Sequence, residues 1–292
     1  MDQTITVNTH ILLPQNVAMI EKILVAVAGR GLCEEMVNML MEIPSIQQAA
    51  VTILHVVPPQ VSADDMSEKL AEGGKILAQA VKQIKADPTK VSPRLKQGDP
   101  KTIVCEVAEE ENADLIIMGS RALGRLQAIL EGSVSQYVFQ LASRPMLLVK
   151  DDTYVKRINR VMVAMNQSAE AKQALDMALS LVRDIKGGQL LLAHVNPPKQ
   201  VKNSEEDEVL AGAIAEAKKL GVSYRCFTAD GKAGEQICRL AEDNNADLLL
   251  LGSPDRRPTI AKSLVDLDRL IGGSLSDYVR VNATCPVILV RR

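Results

Sequence analysis

The chain has 292 residues, of which 47% are hydrophobic and 24% are charged, a composition that excludes a disordered polymer and suits two domains of ordinary size. Its formal net charge of −2 argues against a nucleic-acid coat or a binder of anionic membranes, because both need surplus positive charge. Aromatic residues make up only 2%, too few for a platform on which single-stranded bases stack.

Short apolar runs alternate with helical stretches along the first half of the chain. The runs ILVAV, VTILHVV, DLIIMG and PMLLVK lack a polar face, which is typical of parallel strands buried on both sides. Apolar residues at helical spacing predict helices over 71–86 and 99–113, the second with Pro100 near its start. The strand 91–97 contains Pro93, which cannot donate to a ladder, so we place it at an edge. This order predicts an α/β fold with a doubly wound, Rossmann-like sheet.

The second half of the chain repeats the first. The matching pairs are 22–29 with 160–167, 53–59 with 192–198, 112–120 with 245–253, and 132–149 with 273–290. A repeat of this length is a complete domain rather than a solenoid unit, so we predict two domains in tandem, called copy 1 and copy 2. The predicted bounds are 1–20 for an N-terminal extension, 21–150 for copy 1, 151–157 for a linker and 158–292 for copy 2.

The last apolar run of each copy, 145–150 and 286–292, is predicted to form the outer strand of its sheet. An exposed apolar edge invites pairing with another strand, and a partner in the same chain is always close. We therefore expect the two copies to pack as an internal pseudo-dimer through these strands. The run 222–229 alternates and could form a second edge.

The N-terminal residues and the cysteines indicate the cellular compartment in which the protein is expected. The first residues include Asp2 and no lysine or arginine, unlike a signal peptide, and no apolar run approaches the ~20 residues of a membrane span. We therefore expect a soluble, cytoplasmic protein. An odd number of cysteines without a C-x-x-C pair, and scattered histidines, predict neither a disulfide framework nor a metal site. These residues are Cys33, Cys105, Cys226, Cys238, Cys285, His10, His55 and His194.

Ligands in such sheets bind outside the carboxyl ends of the strands. In copy 1, Gly132 and Ser133 open a helix whose free N–H groups and positive dipole suit a phosphate, and Arg121 and Arg125 add two cations. The simpler alternatives are that Ser133 only caps the helix and that the arginines are solvated. Neither a P-loop nor a G-x-G-x-x-G turn occurs in the sequence.

The segment GSRALGRLQAILEGS, together with KILVAV, LHVV and NADLIIMGS, resembles the universal stress protein family and its Gly-x2-Gly-x9-Gly-(Ser/Thr) signature. Similar segments occur in both copies. The resemblance implies a five-stranded parallel sheet in each domain, with domains paired through the last strand. It also implies that an adenine nucleotide is a candidate ligand, since some members bind ATP or AMP and others bind none.

The family signature fits copy 1 with two departures. Ala122 stands where the second glycine is expected, and Ala28 stands where ATP-binding members carry an Asp after strand 1. The adenine contact falls on the backbone of Val56. The resemblance therefore predicts a weakened nucleotide site lined by Ala28, Val56, Met118, Gly119, Arg121, Ala122, Gly132, Ser133 and Val134.

Copy 2 departs further from the signature. Asp255 places a negative charge where the second glycine is expected, Asn166 replaces the strand-1 Asp, and the loop between Gly252 and Gly273 is eight residues longer than in copy 1. The second site is therefore predicted to be degenerate. Its residues are Asn166, Val195, Gly252, Asp255, Gly273 and Ser274.

These observations predict a non-enzymatic stress-response protein with a weakened ATP or AMP site in copy 1. The alternative is a nucleotide-independent interaction scaffold in which both sites have degenerated. An ATP hydrolase is disfavoured, because the predicted site contains no candidate base, nucleophile or acidic metal-ligand pair. We expect no metal, nucleic-acid or membrane partner. A homodimer of the whole chain and an unidentified protein partner remain open.

Overall fold

A computed structural model describes residues 20–120, 134–150, 157–197, 203–253 and 274–291. Copy 1 alternates strands and helices from the start. Its elements are β1 (Lys22–Ala26), α1 (Leu32–Leu40), β2 (Ala50–Val57), α2 (Ala63–Gln83), β3 (Val91–Gln97), α3 (Pro100–Glu110), β4 (Leu115–Ser120), α4 (Val134–Leu141) and β5 (Met146–Lys150).

Copy 2 repeats this order. Its elements are β6 (Arg160–Met165), α5 (Ala169–Val182), β7 (Gln189–Val195), α6 (Glu208–Lys219), β8 (Ser223–Ala229), α7 (Ala233–Asp243), β9 (Leu248–Gly252), α8 (Leu275–Asn282) and β10 (Val287–Val290). Short 3-10 helices at Pro88–Lys90 and Ser204–Glu206 precede β3 and α6. The predicted segments 1–20 and 151–157 lie outside the described residues, apart from Ile20 and Arg157.

All ten strands form one sheet in the order β3-β2-β1-β4-β5-β10-β9-β6-β7-β8. Neighbouring strands are parallel except β5 and β10, which pair antiparallel with Leu147 opposite Ile288. The predicted pairing of the two copies through their last strands is therefore confirmed. An antiparallel join relates the copies by a pseudo-twofold axis normal to the sheet. One core layer accordingly runs beneath α1, α2, α5 and α6, and the other beneath α3, α4, α7 and α8.

The outer strands are β3 and β8, as the sequence predicted. Gly98 N–H donates to the Val57 carbonyl at 3.1 Å. This bond shows that the even-numbered residues of β3 direct their backbone groups toward β2. Because backbone groups alternate along a ladder, Pro93 faces away from β2. Its missing N–H therefore costs no hydrogen bond inside the sheet, and it blocks pairing with a further strand.

The repeated Asn-Ala-Asp triplet has a structural cause. Asn112 and Asn245 adopt the left-handed conformation, with φ of 50° and 48°, and end the helices that precede β4 and β9. The carboxylate of Asp114 then accepts the amides of Glu21 and Lys22, both at 2.9 Å. Asp247 does the same for the start of β6. Each triplet thus turns the chain and anchors the neighbouring strand.

Helix α2 starts earlier than its apolar pattern predicts. The Ser62 hydroxyl caps its N-terminus by accepting the Asp65 amide at 3.0 Å, so the helix gains a polar first half. Met66 and Leu70 are the half-buried apolar residues of that half, a weaker sequence signal than the apolar residues of the second half. Among the described residues, none of the helices combines the length and apolar character needed to cross a membrane.

Two buried cations tie the copies together across the central join. The Lys150 ammonium, at the end of β5, donates to the carbonyls of Val281 and Ala283 at the C-terminal end of α8. In return, the Arg291 guanidinium donates to the Gln140 carbonyl at 3.1 Å, in the last turn of α4. Each cation therefore binds the negative dipole end of a helix in the other copy.

We predict that Lys150→Met and Arg291→Met each lower the free energy of unfolding by about 1.5–3 kcal/mol, because each removes buried charged hydrogen bonds. Urea unfolding of the full chain measures this. Lys172→Met is the matched control, since its salt bridge with Asp176 lies in the solvent and contributes less than about 0.5 kcal/mol. Equal losses in Lys150→Met and Lys172→Met would contradict the prediction.

Candidate functional site

The strand order places the predicted copy 1 residues at one edge of the sheet. β1 lies between β2 and β4, and Ala26 is in register with both Leu54 and Met118. The chain therefore leaves β1 at Ala28 beside the end of β4, at the switch point of the sheet. Ala28 and Gly119 are exposed, Met118 is buried and Val56 is half-buried.

The loop from β1 to α1 is shaped by two glycines. Gly29 and Gly31 have φ of 76° and 79°, which other residues rarely adopt. Gly31 is the N-cap of α1 and has no side chain to bind the first amides of the helix. The positive end of α1 thus lies at the switch point without a side-chain cap.

The first turn of α1 also contains a buried carboxyl that the sequence analysis missed. Glu34 is only 3% exposed, and burial raises the pKa of its carboxyl, opposed by a hydrogen bond from its own amide. In the sequence, Glu34 next to Glu35 looks like an ordinary solvated helix start. Only the packing of the folded chain distinguishes the two residues.

The backbone of Val56 faces the gap beyond β1. Val27 N–H donates to the Leu54 carbonyl at 2.9 Å, whereas Val57 accepts Gly98 N–H on the other side. Because these directions alternate along β2, the amide and carbonyl of Val56 point to the β1 side, past the end of that strand. An edge-on base with one donor and one acceptor can bind there.

The remaining predicted residues of copy 1 are mostly beyond this description. Val134 is the first residue of α4 and is half-buried. Arg121, Ala122, Gly132 and Ser133 lie outside the described residues. The structure therefore brings together Ala28, Val56, Met118 and Gly119, and it does not test the predicted phosphate contacts.

The same place in copy 2 is closed by α5. Asn166 Oδ1 accepts Ser168 N–H at 2.8 Å, and Ser168 caps α5 after a short loop. A Cβ on Gly252 would lie 2.6 Å from the Glu170 carbonyl carbon and closer still to Ala171 N. In copy 1, a Cβ on Gly119 would lie an ordinary 3.7 Å from Cys33 Sγ. The helix backbone thus lies directly against β9.

The N-terminus of α8 is capped by side chains of its own segment. Ser274 accepts the Asp277 amide at 3.1 Å and donates to the Asp277 carboxylate at 2.6 Å. Arg280 lies 3.7 Å from the other carboxylate oxygen, and Ser276 joins the cluster through Ser274. All four residues are buried. The hydroxyl of Ser274 therefore caps this helix N-terminus, and the buried carboxylate in its first turn disfavours a second anion there.

The two histidines near the ends of β2 and β7 are hydrogen bonded to different partners. His55 Nδ1 lies 2.9 Å from the Val27 carbonyl. His194 Nδ1 lies 2.9 Å from the carboxylate of Asp207, which also caps α6. Val195, the residue after His194, is half-buried. Asp255 and Gly273 lie outside the described residues.

Four of the cysteines are poor nucleophiles. Burial raises the pKa of Cys105 and of Cys285 to about 12. Burial likewise raises the pKa of Cys226 and of Cys238 to about 11. At neutral pH at most roughly one such thiol in ten thousand is ionised, so none of these four is an activated thiolate.

Both halves of the chain match one known family. The sequence profile of the universal stress protein family matches residues 19–150 and, separately, residues 157–291. The chain belongs to the universal stress protein family. It resembles the universal stress protein YxiE of Bacillus subtilis, with 28% identity over 148 residues that cover 45% of this chain and all of that protein.

Other family members match both copies together. A universal stress protein of Mycolicibacterium smegmatis is 23% identical over 277 residues, which cover 85% of this chain and 89% of that protein. The crystal structure of a universal stress protein from Archaeoglobus fulgidus superposes with a TM-score of 0.75 and 22% identity, covering 94% of this chain and 97% of that chain. The tandem fold is therefore a known form of the universal stress protein fold.

The closure of copy 2 can be tested by adding one methyl group. We predict that Gly252→Ala lowers the free energy of unfolding by at least about 1 kcal/mol, because the new Cβ overlaps the backbone of α5. Gly119→Ala is the matched control and should change stability by less than about 0.5 kcal/mol. Urea unfolding measures both, and an unaffected Gly252→Ala would show that the gap is open.

Proposed function

We propose that this universal stress protein binds one adenine nucleotide, ATP or AMP, in copy 1, and that it catalyses no reaction. The observation that carries the proposal is the difference between the two switch points. Among the described residues, Ala28 and Gly119 of copy 1 are exposed, whereas the backbone of α5 fills the equivalent place at Gly252. The domain bounds 21–150 and 158–292 belong to the same proposal.

In this proposal the adenine binds along the backbone of Val56. Its phosphates bind the first amides of the helix that starts near Gly132 and Ser133, where a helix dipole favours an anion. Ala28 supplies no carboxylate to the ribose. The loss of that charged hydrogen bond corresponds to about 1.5–3 kcal/mol, or a ten- to hundredfold weaker affinity.

Copy 2 is proposed to be structural. The first turn of α8 contains the carboxylate of Asp277, which would repel a phosphate, and Asp255 adds a second negative charge in the sequence. The same features, taken together with Ala28 and Ala122, favour the second candidate, a scaffold that binds no nucleotide in either copy. The cytoplasm is the proposed location in both cases.

Calorimetric titration of the full chain with ATP, ADP and AMP separates the two candidates. We predict saturable binding of one nucleotide per chain. Ser133→Glu should abolish it, because a second anion would occupy the phosphate position, whereas the matched change Asp255→Gly in copy 2 should leave the affinity within about twofold. Absence of binding to the unaltered chain would favour the scaffold.

A gain of affinity would show that the two departures limit the site. We predict that Ala28→Asp combined with Ala122→Gly strengthens ATP binding at least about tenfold, since the change restores a charged hydrogen bond and removes one methyl group. Ala28 is exposed, so an aspartate fits without repacking. Equal or weaker binding in the double variant would refute this account of the weak site.

A further inference from the structure

At the end of the β1–β2 ladder, the side chain of His55 takes the place of a backbone hydrogen-bond donor. If the ladder continued for one more step, the Val27 carbonyl would accept the amide of Val56. The ring Nδ1–H of His55 instead donates to this carbonyl at 2.9 Å. The carbonyl directly after β1 is therefore held by a side chain, and the Val56 amide stays directed at the gap.

The imidazole ring is held in place from its other side by α2. Gly73 is buried in this helix, and a Cβ there would lie 2.9 Å from His55 Cδ2 and 3.1 Å from Val57 Cγ2. A helix backbone thus packs directly on the ring. Glycine weakens a helix interior, and here it leaves room for the ring of His55 together with Leu95 and Val57.

Copy 2 uses its equivalent histidine differently. His194 turns its Nδ1 to Asp207, which also accepts the amides of Val209 and Leu210 at the start of α6. His194 therefore fastens a helix end, whereas His55 fastens the loop that leaves β1. This difference coincides with the difference between the open and the closed switch point.

We propose that His55 is a positioning residue for nucleotide binding in copy 1. By holding the Val27 carbonyl, it fixes the root of the loop that carries Ala28 and leaves the Val56 backbone available to the base. Its side chain does not touch the ligand. This inference rests on the proposed function of copy 1.

The test compares His55→Asn with His55→Gln in the full chain by calorimetric titration with ATP. The asparagine amide nitrogen lies close to the position of Nδ1 and can still donate to Val27, whereas the glutamine nitrogen lies near the position of Nε2. We expect His55→Asn to bind ATP within about threefold of the unaltered chain, and His55→Gln at least about tenfold more weakly. His55→Leu should match His55→Gln.

The matched control is His194→Leu, which should leave ATP affinity within about twofold even where it lowers the unfolding temperature. Unfolding temperatures of the two amide variants show whether both are equally folded. Equal ATP affinity in the unaltered chain and in folded His55→Gln would overturn this inference alone. Equally weak binding by His55→Asn and His55→Gln would also overturn it. No ATP binding to the unaltered chain would overturn the proposed function and this inference with it.

Discussion

The antiparallel pairing of β5 with β10 is the interaction on which the rest of the molecule depends. It converts two five-stranded sheets into one, buries both apolar edges and gives each core layer a continuous course through both copies. Lys150 and Arg291 strengthen this join because each satisfies carbonyl groups at a helix end of the opposite copy. Backbone hydrogen bonds, apolar packing and buried charges thus all stabilise the same interface between β5 and β10.

One scaffold supports two different switch points. In copy 1 the helix after the first strand begins behind a loop bent by Gly29 and Gly31, and a histidine holds the root of that loop. In copy 2 the corresponding helix begins earlier and packs against Gly252, while the hydroxyl of Ser274 caps the N-terminus of α8. Small changes in loop length and helix start therefore decide whether this edge of the sheet is a cleft or part of the core.

The repeated segments were enough to predict the duplication, the parallel strands, both outer strands and the central join, because strand burial and proline chemistry act locally. The start of α2 was missed because the side-chain cap by Ser62 lies in a mainly polar stretch with few apolar residues. The burial of Glu34, Asp277 and Arg280 could not be predicted either, since burial depends on elements that meet only in the folded chain. The positions of Ala28, Val56, Met118 and Gly119 followed from the switch-point rule, whereas the phosphate contacts remain a prediction.

The covalent link between the copies has a genetic consequence. In a dimer of identical chains, every substitution appears twice, so a change that closes one cleft closes both. A substitution at the interface likewise appears on both sides of the twofold axis. Here the two sides of the join are encoded separately, as shown by a lysine on one side and an arginine on the other. One copy can therefore lose its cleft and specialise in support while the other remains under selection for a ligand.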